Sequence, residues 1–213
     1  MNYKGPVVTI VMDGVGVSEN AEGNAVKSAN KPVLDKLLAT YPNMLLKAHG
    51  KAVGLPSDDD MGNSEVGHNA IGAGKVYSQG AKLVNESIES GDMYKADGWR
   101  EIIANVKANN STLHFLGLFS DGNVHSHINH LKAMIKEAKA EGVKRVRIHI
   151  LLDGRDVGET SALDYVLPFE EYIGGLRDDS FDVCIASGGG RMNITMDRYE
   201  ANWGMVEAGW KTH

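Results

Sequence analysis

The stretch "RVRIHILLDGRDVG", residues 145–158, is an apolar run followed directly by a glycine-containing loop that carries charge. Its first eight residues have the length and the composition of a β-strand. Residues 162–174, which come soon after the loop, show helical periodicity. The stretch therefore predicts a strand, a loop and a helix in that order.

The same order recurs along the chain. Four further runs have strand length and strand composition: residues 7–12, 44–49, 112–118 and 181–187. Helical periodicity is found in three further stretches: residues 32–41, 99–109 and 128–141. Strands that alternate with helices predict an α/β fold of mainly parallel sheets flanked by helices on both faces.

Polar clusters follow four of the five predicted strands. They are the loops "DGVG", "SDGNVHSH", "DGRD" and "SGGGRM", each with glycine and a charged or histidine side chain. In open parallel sheets, ligands bind at the carboxyl ends of the strands, so we expect function to collect in these loops. A domain boundary is predicted near Gly80, which gives segments 1–80 and 81–213.

Composition narrows the class of protein. The chain has 213 residues, of which 42% are hydrophobic and 23% charged, as expected for a globular protein with a sizeable core. The net charge is −6 and the basic residues are scattered, which argues against nucleic acid or a membrane surface as the partner. The first apolar run is too short for a signal peptide, and no run of about eighteen apolar residues occurs, so we expect a cytoplasmic protein.

Ser64 lies in "DDDMGNSEVGHNAIGAG", residues 58–74, just before a helical run. One interpretation is that Ser64 is the N-cap of that helix. The other is catalytic, because a helix amino terminus suits the oxyanions of a phosphoryl group. A serine hydroxyl is a poor nucleophile without a base or a metal cation, and the Gly-x-Ser-x-Gly spacing is missing, which favours a metal-activated serine. Asp13, at the end of the first predicted strand, is either a turn residue or a metal ligand.

Three histidines, His125, His127 and His130, occur in "DGNVHSHINH". His-x-His is a recurring spacing of zinc ligands, so the three could form a zinc cluster. Alternatively, His127 and His130 begin a helix and pack locally. His125 precedes the helix, in the loop, and is the histidine that we expect to meet a ligand.

Arginines follow two of the predicted strands. Arg155 stands beside Asp156 in "DGRD", and Arg191 and Arg198 follow the glycines of "SGGGRM". Each could belong to an ordinary surface ion pair. Together with His125, the three arginines predict a pocket for a small, doubly charged anion.

The motifs "VMDGVG", "MGNSEVGHNAIGAG", "SDGNVHSHINHL", "LLDGRDVG" and "MDRYEANW" closely resemble the cofactor-independent phosphoglycerate mutase family, a branch of the alkaline-phosphatase-like metalloenzymes. The resemblance covers essentially the whole chain. It implies that residues 1–80 are the first segment of a split, phosphatase-like metal-binding domain. It also implies that residues 81–213 are the early part of a phosphotransferase domain, so both domains are incomplete.

By this resemblance Ser64 is the nucleophile. It takes the phosphoryl group of 3-phosphoglycerate, forms a phosphoserine and returns the group to yield 2-phosphoglycerate. The resemblance implies two divalent metal ions, most often Mn²⁺, with Mg²⁺ or Co²⁺ as alternatives, and no requirement for 2,3-bisphosphoglycerate. Asp13 and Ser64 match ligands of one ion. The substrate-holding set is matched by His125, Arg155, Asp156, Arg191 and Arg198.

The sequence departs from the family pattern in two ways. Arg191 and Arg198 are seven residues apart, whereas many bacterial members have a spacing of six. Family members are also more than twice as long, and the other metal ligands and two substrate arginines have no counterpart here. We therefore expect this polypeptide alone to bind metal weakly and to turn over nothing, with the remainder of the enzyme on the same or another chain.

Two alternatives stay open. The first is a metal-dependent phosphatase, or another phosphomutase, of the same superfamily. The second is a non-catalytic fragment that binds phosphoglycerate without chemistry.

Overall fold

The computed structural model describes residues 4–12 and 15–213. The chain forms two compact units, residues 1–46 and residues 47–213. Among the residues described, no helix is long and apolar enough to span a membrane. The predicted boundary near Gly80 lies within the second unit and stays a prediction.

The first unit contains two helices, α1 (Ala25–Ser28) and α2 (Pro32–Thr40). Asn24 caps α1 by accepting a hydrogen bond from the backbone N–H of Lys27. Pro32 begins α2, at a position where a missing N–H leaves no helical hydrogen bond unmade. The helix predicted over residues 32–41 is thus confirmed.

The second unit holds the sheet and most of the helices. A single 3₁₀ turn, Gly50–Val53, precedes its first helix. Its helices are α3 (Ser64–Ala73), α4 (Ala81–Glu89), α5 (Asp92–Lys95), α6 (Asp97–Ala108), α7 (Ile128–Ala140), α8 (Ala162–Gly174), α9 (Arg191–Ile194) and α10 (Trp203–Thr212). Its strands are β1 (Leu113–Phe119), β2 (Arg145–Leu152) and β3 (Asp182–Gly190).

The three strands form a parallel sheet in the order β1-β2-β3. Helices α7 and α8 are the crossovers between consecutive strands, which confirms the strand and helix order read from residues 145–174. An irregularity in the β2-β3 register lies between Ile148 and His149. Just past it, a Cβ on Gly188 would lie 2.5 Å from Cγ1 of Ile150, so only glycine fits this close approach.

The main core lies between one face of this sheet and helices α6, α7 and α8. Val146, Ile148 and Ile150 alternate along β2 and are buried, as the two-residue side-chain period of a strand requires. The helices contribute these buried residues: Trp99, Ile103, Val106, Ile128, Ile135, Ala138, Phe169 and Ile173. On the opposite face, His149 reaches the hydroxyl of Ser187, which also contacts His213 at the end of α10.

Two predicted strands, residues 7–12 and 44–49, are wrong. In the described part of the chain these residues form no strand. Val7, Val8 and Ile10 are more than three-quarters exposed, and so are Met44, Leu45 and Leu46. A strand exists only where its backbone N–H and C=O groups pair with a neighbouring strand, and apolar composition cannot supply that partner.

Candidate active site

The first residue after each strand lies in one buried cluster. Ser120 follows β1, Asp153 follows β2 and Arg191 follows β3, and all three are buried. Because the strands are parallel and adjacent, their carboxyl ends lie at one edge of the sheet. This edge is where the polar loops were expected to collect.

Asp153 is the centre of the cluster. Its Oδ2 accepts a hydrogen bond from the Ser120 hydroxyl at 2.5 Å, and its Oδ1 accepts from the backbone N–H groups of Arg155 at 3.0 Å and Asp156 at 2.9 Å. The Arg191 guanidinium pairs with the same carboxylate, with Nη2 3.0 Å from Oδ1. Burial alone would raise the pKa of the Asp153 carboxyl, but these donors and the positive charge outweigh it and lower the pKa.

Three of the five predicted substrate residues come together beside Asp153. Arg191 Nη2 lies 3.1 Å from Oδ2 of Asp156, and His125 Nε2 lies 3.9 Å from the same oxygen. Gly122 permits this packing, because a Cβ there would lie 3.2 Å from both Cβ and the carbonyl oxygen of Asp156. Residues that follow β1, β2 and β3 therefore meet around the carboxylates of Asp153 and Asp156.

Arg191 keeps hydrogen-bonding capacity although it is buried. Within the described residues, its Nε and Nη2 atoms and Oδ2 of Asp156 are buried without a hydrogen-bond partner of suitable geometry. Nearly all buried polar groups in proteins are hydrogen-bonded, and the exceptions call for an explanation. A bound oxyanion would accept a hydrogen bond from the Arg191 guanidinium, and a bound hydroxyl group would donate one to Oδ2 of Asp156.

Arg155 and Arg198 do not join the buried cluster through their side chains. Arg155 is exposed, and only its backbone N–H bonds to Asp153. Arg198 is also exposed, in the segment between α9 and α10, where its carbonyl oxygen accepts a hydrogen bond from Ala201. Among the residues described, no ion pair joins either guanidinium to the cluster.

Ser64 is the first residue of α3, and Asn63 is the N-cap. The Asn63 side chain accepts a hydrogen bond from the backbone N–H of Val66 at 3.0 Å. The interpretation of Ser64 as the N-cap is therefore wrong, because the amide side chain of the preceding residue, Asn63, already caps the helix. The Ser64 side chain is exposed at the amino end of the helix, where the N–H groups of the first turn have no partner within the helix.

The bend before Ser64 is sterically fixed. A Cβ on Gly62 would lie 1.9 Å from the carbonyl oxygen of Ala48, and the Gly62 N–H donates to Nδ1 of His49 at 3.0 Å. One turn further along α3, Nδ1 of His68 contacts the carbonyl oxygen of Ser64 at 2.7 Å. Since a carbonyl oxygen can only accept, His68 carries its proton on Nδ1.

Ser64 and His125 line the same cavity, which has a volume of about 540 Å³. Its other polar lining residues are Asn63, Glu65, Asn69, Gln79, Asn123, Ser126 and His130. The candidate nucleophile and the candidate ligand histidine are 61 residues apart in sequence and come from α3 and the β1-α7 loop. The cavity therefore links the Ser64 segment to the strand-end cluster through His125.

His127 and His130 have structural roles in α7. His127 is its N-cap, with Nδ1 accepting from the N–H of Asn129, and His130 Nε2 contacts Oδ1 of Asn85 at 2.6 Å. Burial and the nearby His127 lower the pKa of His130. Their placement confirms the interpretation in which these two histidines begin a helix and pack locally.

The described residues do not complete a metal site. Across residues 4–12 and 15–213, no group of three or more His, Cys, Asp or Glu side chains is arranged to hold a metal ion. The predicted ligand Asp13 lies outside the described residues. Of the predicted metal ligands, only Ser64 can thus be placed.

Sequence reasoning missed Ser120 and Asp153. Both are the first residues of the quoted loops "SDGNVHSH" and "DGRD", but the later residues of those loops drew the functional assignments. A positional signal was available, because both are the first polar residue after an apolar strand. Adjacent parallel strands place such residues side by side.

Comparisons with known proteins identify the family that this chain resembles. The family model described as the amino-terminal part of BPG-independent PGAM matches residues 84–213. A probable 2,3-bisphosphoglycerate-independent phosphoglycerate mutase from Leptospira interrogans is 60% identical over 209 residues, which are 97% of this chain and 38% of the relative. The enzyme of that name from Mesembryanthemum crystallinum is 48% identical over 94% of this chain and 36% of its own length.

A solved structure is similar as well. Phosphoglycerate mutase of Leishmania mexicana, crystallised at low cobalt concentration, superposes with a TM-score of 0.80 at 46% identity. The match covers 94% of this chain and 37% of that protein. The chain thus spans little more than a third of the length of the relatives it matches.

Proposed function

The chain belongs to the 2,3-bisphosphoglycerate-independent phosphoglycerate mutase family, and from that premise we propose that it provides the nucleophile and part of the substrate pocket of an isomerase. The reaction is the interconversion of 3-phosphoglycerate and 2-phosphoglycerate through a phosphoserine on Ser64. One observation carries the proposal: Ser64 and His125 line one cavity, and His125 borders the Arg191-Asp156 pair.

The proposed reaction needs no second substrate, because the phosphoryl group leaves and returns to the same glycerate. Oγ of Ser64 forms a bond to phosphorus while the bond from phosphorus to one glycerate oxygen breaks, and the serine proton passes to that oxygen. After the glycerate reorients, its other hydroxyl attacks the phosphoserine and returns a proton to Ser64. Phosphoryl transfer needs alignment and charge neutralisation above all, which a helix amino terminus helps to provide.

The strand-end cluster suits the part of the substrate that is not transferred. Within the described residues Nε of Arg191 has no partner, and we assign the glycerate carboxylate to it and a glycerate hydroxyl to Asp156. Asp153 fixes Arg191 in place through its buried carboxylate. We assign the exposed arginines Arg155 and Arg198 to the same substrate, as guanidinium groups on long side chains that contact it from the solvent side.

The family resemblance implies two divalent ions, and we propose Mn²⁺ with Asp13 and Ser64 as two ligands of one of them. Mn²⁺ prefers oxygen and nitrogen ligands in about six positions. The described residues do not supply such a set. We therefore propose that these 213 residues alone bind Mn²⁺ weakly and do not catalyse turnover.

A second candidate function is phosphoglycerate binding without chemistry. It is favoured by one observation: the cluster of Arg191, Asp156 and His125, which we assign to the glycerate part of the substrate, lies entirely within this chain. A phosphatase of the same superfamily is disfavoured, because the family match covers residues 84–213, where the strand-end loops lie.

Calorimetric titration of the chain with 3-phosphoglycerate, with and without Mn²⁺, tests these functions, together with an assay for 2-phosphoglycerate. We expect binding that Arg191→Met abolishes and Arg177→Met, a change in an arginine far from the cavity, leaves unchanged. No binding under either condition would contradict the substrate assignment, and turnover at enzymatic rates would contradict the proposed inactivity of the chain alone.

The role of Ser64 is tested in an enzyme of full family length that carries this segment. Ser64→Ala should abolish phosphoserine formation, detected by mass spectrometry after incubation with substrate. Ser78→Ala, which changes a serine that bonds Glu86 and does not line the cavity, is the matched control. Phosphoryl transfer by the Ser64→Ala variant would disprove the assignment.

A further inference from the structure

A hydrogen bond between Asp60 and Asn123 joins the segment before Ser64 to the loop that carries His125. Asn123 donates from Nδ2 to Oδ1 of Asp60 at 2.5 Å. Asp60 precedes Ser64 by four residues, and Asn123 precedes His125 by two. The bond therefore connects the two sides of the cavity that Ser64 and His125 line.

Asp60 is held firmly on its own side. Its Oδ2 accepts from both the backbone N–H of Ser57 at 2.6 Å and the Ser57 hydroxyl at 2.8 Å. Its carbonyl oxygen accepts from the N–H of Gly50 at 3.1 Å. Oδ1 therefore accepts from Asn123 in the β1-α7 loop, while Oδ2 accepts from Ser57 in the segment before Ser64.

Asn123 is also constrained. Its φ is +57°, in the left-handed region that asparagine tolerates better than most residues with a side chain. The next residues, Val124 and His125, line the cavity together with Asn123 itself. A contact that fixes Asn123 consequently fixes the start of the lining segment.

One further hydrogen bond involves a cavity residue, between His130 of α7 and Asn85 of α4, but it joins neither the Ser64 segment nor the His125 loop. Gln79 ties α3 to the preceding 3₁₀ turn, by donating from Nε2 to the carbonyl oxygens of Val53 and Val66, but it does not reach the His125 loop. Among the hydrogen bonds of the described residues, the bond from Asp60 to Asn123 is the one that links residues 47–80 to residues 120–127.

We propose that Asp60 and Asn123 are positioning residues that hold Ser64 and His125 at a fixed separation across their shared cavity. The inference rests on the proposed function, because the separation matters for a phosphoryl group that both sides must contact. Displacement of reacting groups by about 1 Å can cost on the order of 100-fold in rate. Neither residue is assigned contact with the substrate.

The proposal is tested by exchanging the hydrogen-bond donor and acceptor between positions 60 and 123. Asn123→Asp places two carboxylates together and breaks the bond. The double variant Asp60→Asn/Asn123→Asp restores it in reverse, because the new amide can donate to Asp at position 123 while its oxygen still accepts from Ser57. Asn109→Asp, at an exposed asparagine that directly follows α6 and hydrogen-bonds to Asn105, is the matched control.

The first measurement is amide hydrogen exchange on the 213-residue chain, which does not depend on ligand. Loss of a hydrogen bond worth about 1 kcal/mol corresponds to roughly five-fold faster exchange. We expect that acceleration in residues 57–66 and 120–127 of Asn123→Asp, recovery in the double variant and no change in Asn109→Asp. Unchanged exchange in Asn123→Asp, or a double variant as fast as the single one, would overturn the inference.

The second measurement is the affinity for 3-phosphoglycerate. We expect Asn123→Asp to weaken binding several-fold and the double variant to recover it, while the urea midpoint of the main core stays unchanged in both. A variant with altered exchange but unaltered affinity would also overturn the positioning role. If the unaltered chain binds no 3-phosphoglycerate, the proposed function fails, and the exchange data still decide whether the bond fixes the two segments.

Discussion

Arg191 and Asp153 form a buried ion pair, with Nη2 of the guanidinium 3.0 Å from Oδ1 of the carboxylate and both side chains almost wholly removed from solvent. Each residue directly follows a strand, Asp153 after β2 and Arg191 after β3. The pair therefore couples the strand-end loops on which the candidate substrate pocket depends.

Asp153→Asn should be strongly destabilising. Removal of one partner from a buried ion pair costs roughly 3 to 5 kcal/mol when the other charge is left uncompensated. Asp156 stays 3.1 Å from Arg191 and compensates part of its charge, so we expect a loss towards the lower end of that range. The matched control is Asp182→Asn, because Asp182 pairs with Arg147 at the surface, where its side chain is 57% exposed. That change should cost less than about 1 kcal/mol. Urea unfolding of both variants measures the difference, and equal losses would show that the buried pair contributes no more than the exposed one.

The capping of α3 predicts a contrast between neighbouring residues. Asn63→Ala removes the acceptor for the Val66 N–H and should lower the free energy of unfolding by about 1 kcal/mol. Ser64→Ala removes no cap and should leave stability nearly unchanged. Circular dichroism melts of the two variants make the comparison, and a larger loss for Ser64→Ala would mean that Ser64 itself caps the helix.

Two glycines near Ser64 should respond oppositely to alanine. Gly62→Ala places a methyl group 1.9 Å from the Ala48 carbonyl oxygen, so the chain must shift, at a cost of roughly 1 to 3 kcal/mol. Gly67→Ala, inside α3 with no atom within 4 Å of the new Cβ, should stabilise by about 0.5 to 1 kcal/mol. Chemical denaturation gives both values, and stabilisation by Gly62→Ala would disprove the close approach.

Stability should fall as the medium becomes mildly acidic. Burial, aided by His127, holds the pKa of His130 below its usual value of 6.5, so the unfolded chain binds a proton at a higher pH than the folded chain does. The stabilisation from a neutral His130 is therefore complete above pH 6.5 and is lost as the pH falls through the lower, folded pKa.

His130→Gln tests this dependence while keeping an amide donor for Asn85. The loss of unfolding free energy between about pH 7.5 and about pH 5.5 should be smaller in the variant. His149, whose pKa is lowered by burial and by His114 and His213, should maintain part of the slope. An identical pH dependence in variant and parent would exclude His130 as a contributor.

The sequence by itself determined the strand-loop-helix order of residues 112–190, because the strand runs and helical periodicities there are strong and each element finds its partner within the chain. It also predicted four helices close to their observed bounds and singled out His125, Asp156 and Arg191, which the structure brings together. Residues 7–12 and 44–49 show the limit of such reasoning, since apolar composition favours a strand but pairing requires a neighbour.

Only the tertiary structure decided which polar residues meet. Ser120 and Asp153 became the centre of the cluster because parallel pairing places the ends of β1 and β2 side by side, a relation that a reading along the chain does not contain. Likewise, Asn63 rather than Ser64 caps α3, because the backbone of Asn63 is extended and the helical conformation begins at Ser64. The sequence determines which chemical groups follow the strands. The distances between these groups depend on contacts between residues far apart in the chain, so only the tertiary structure sets them.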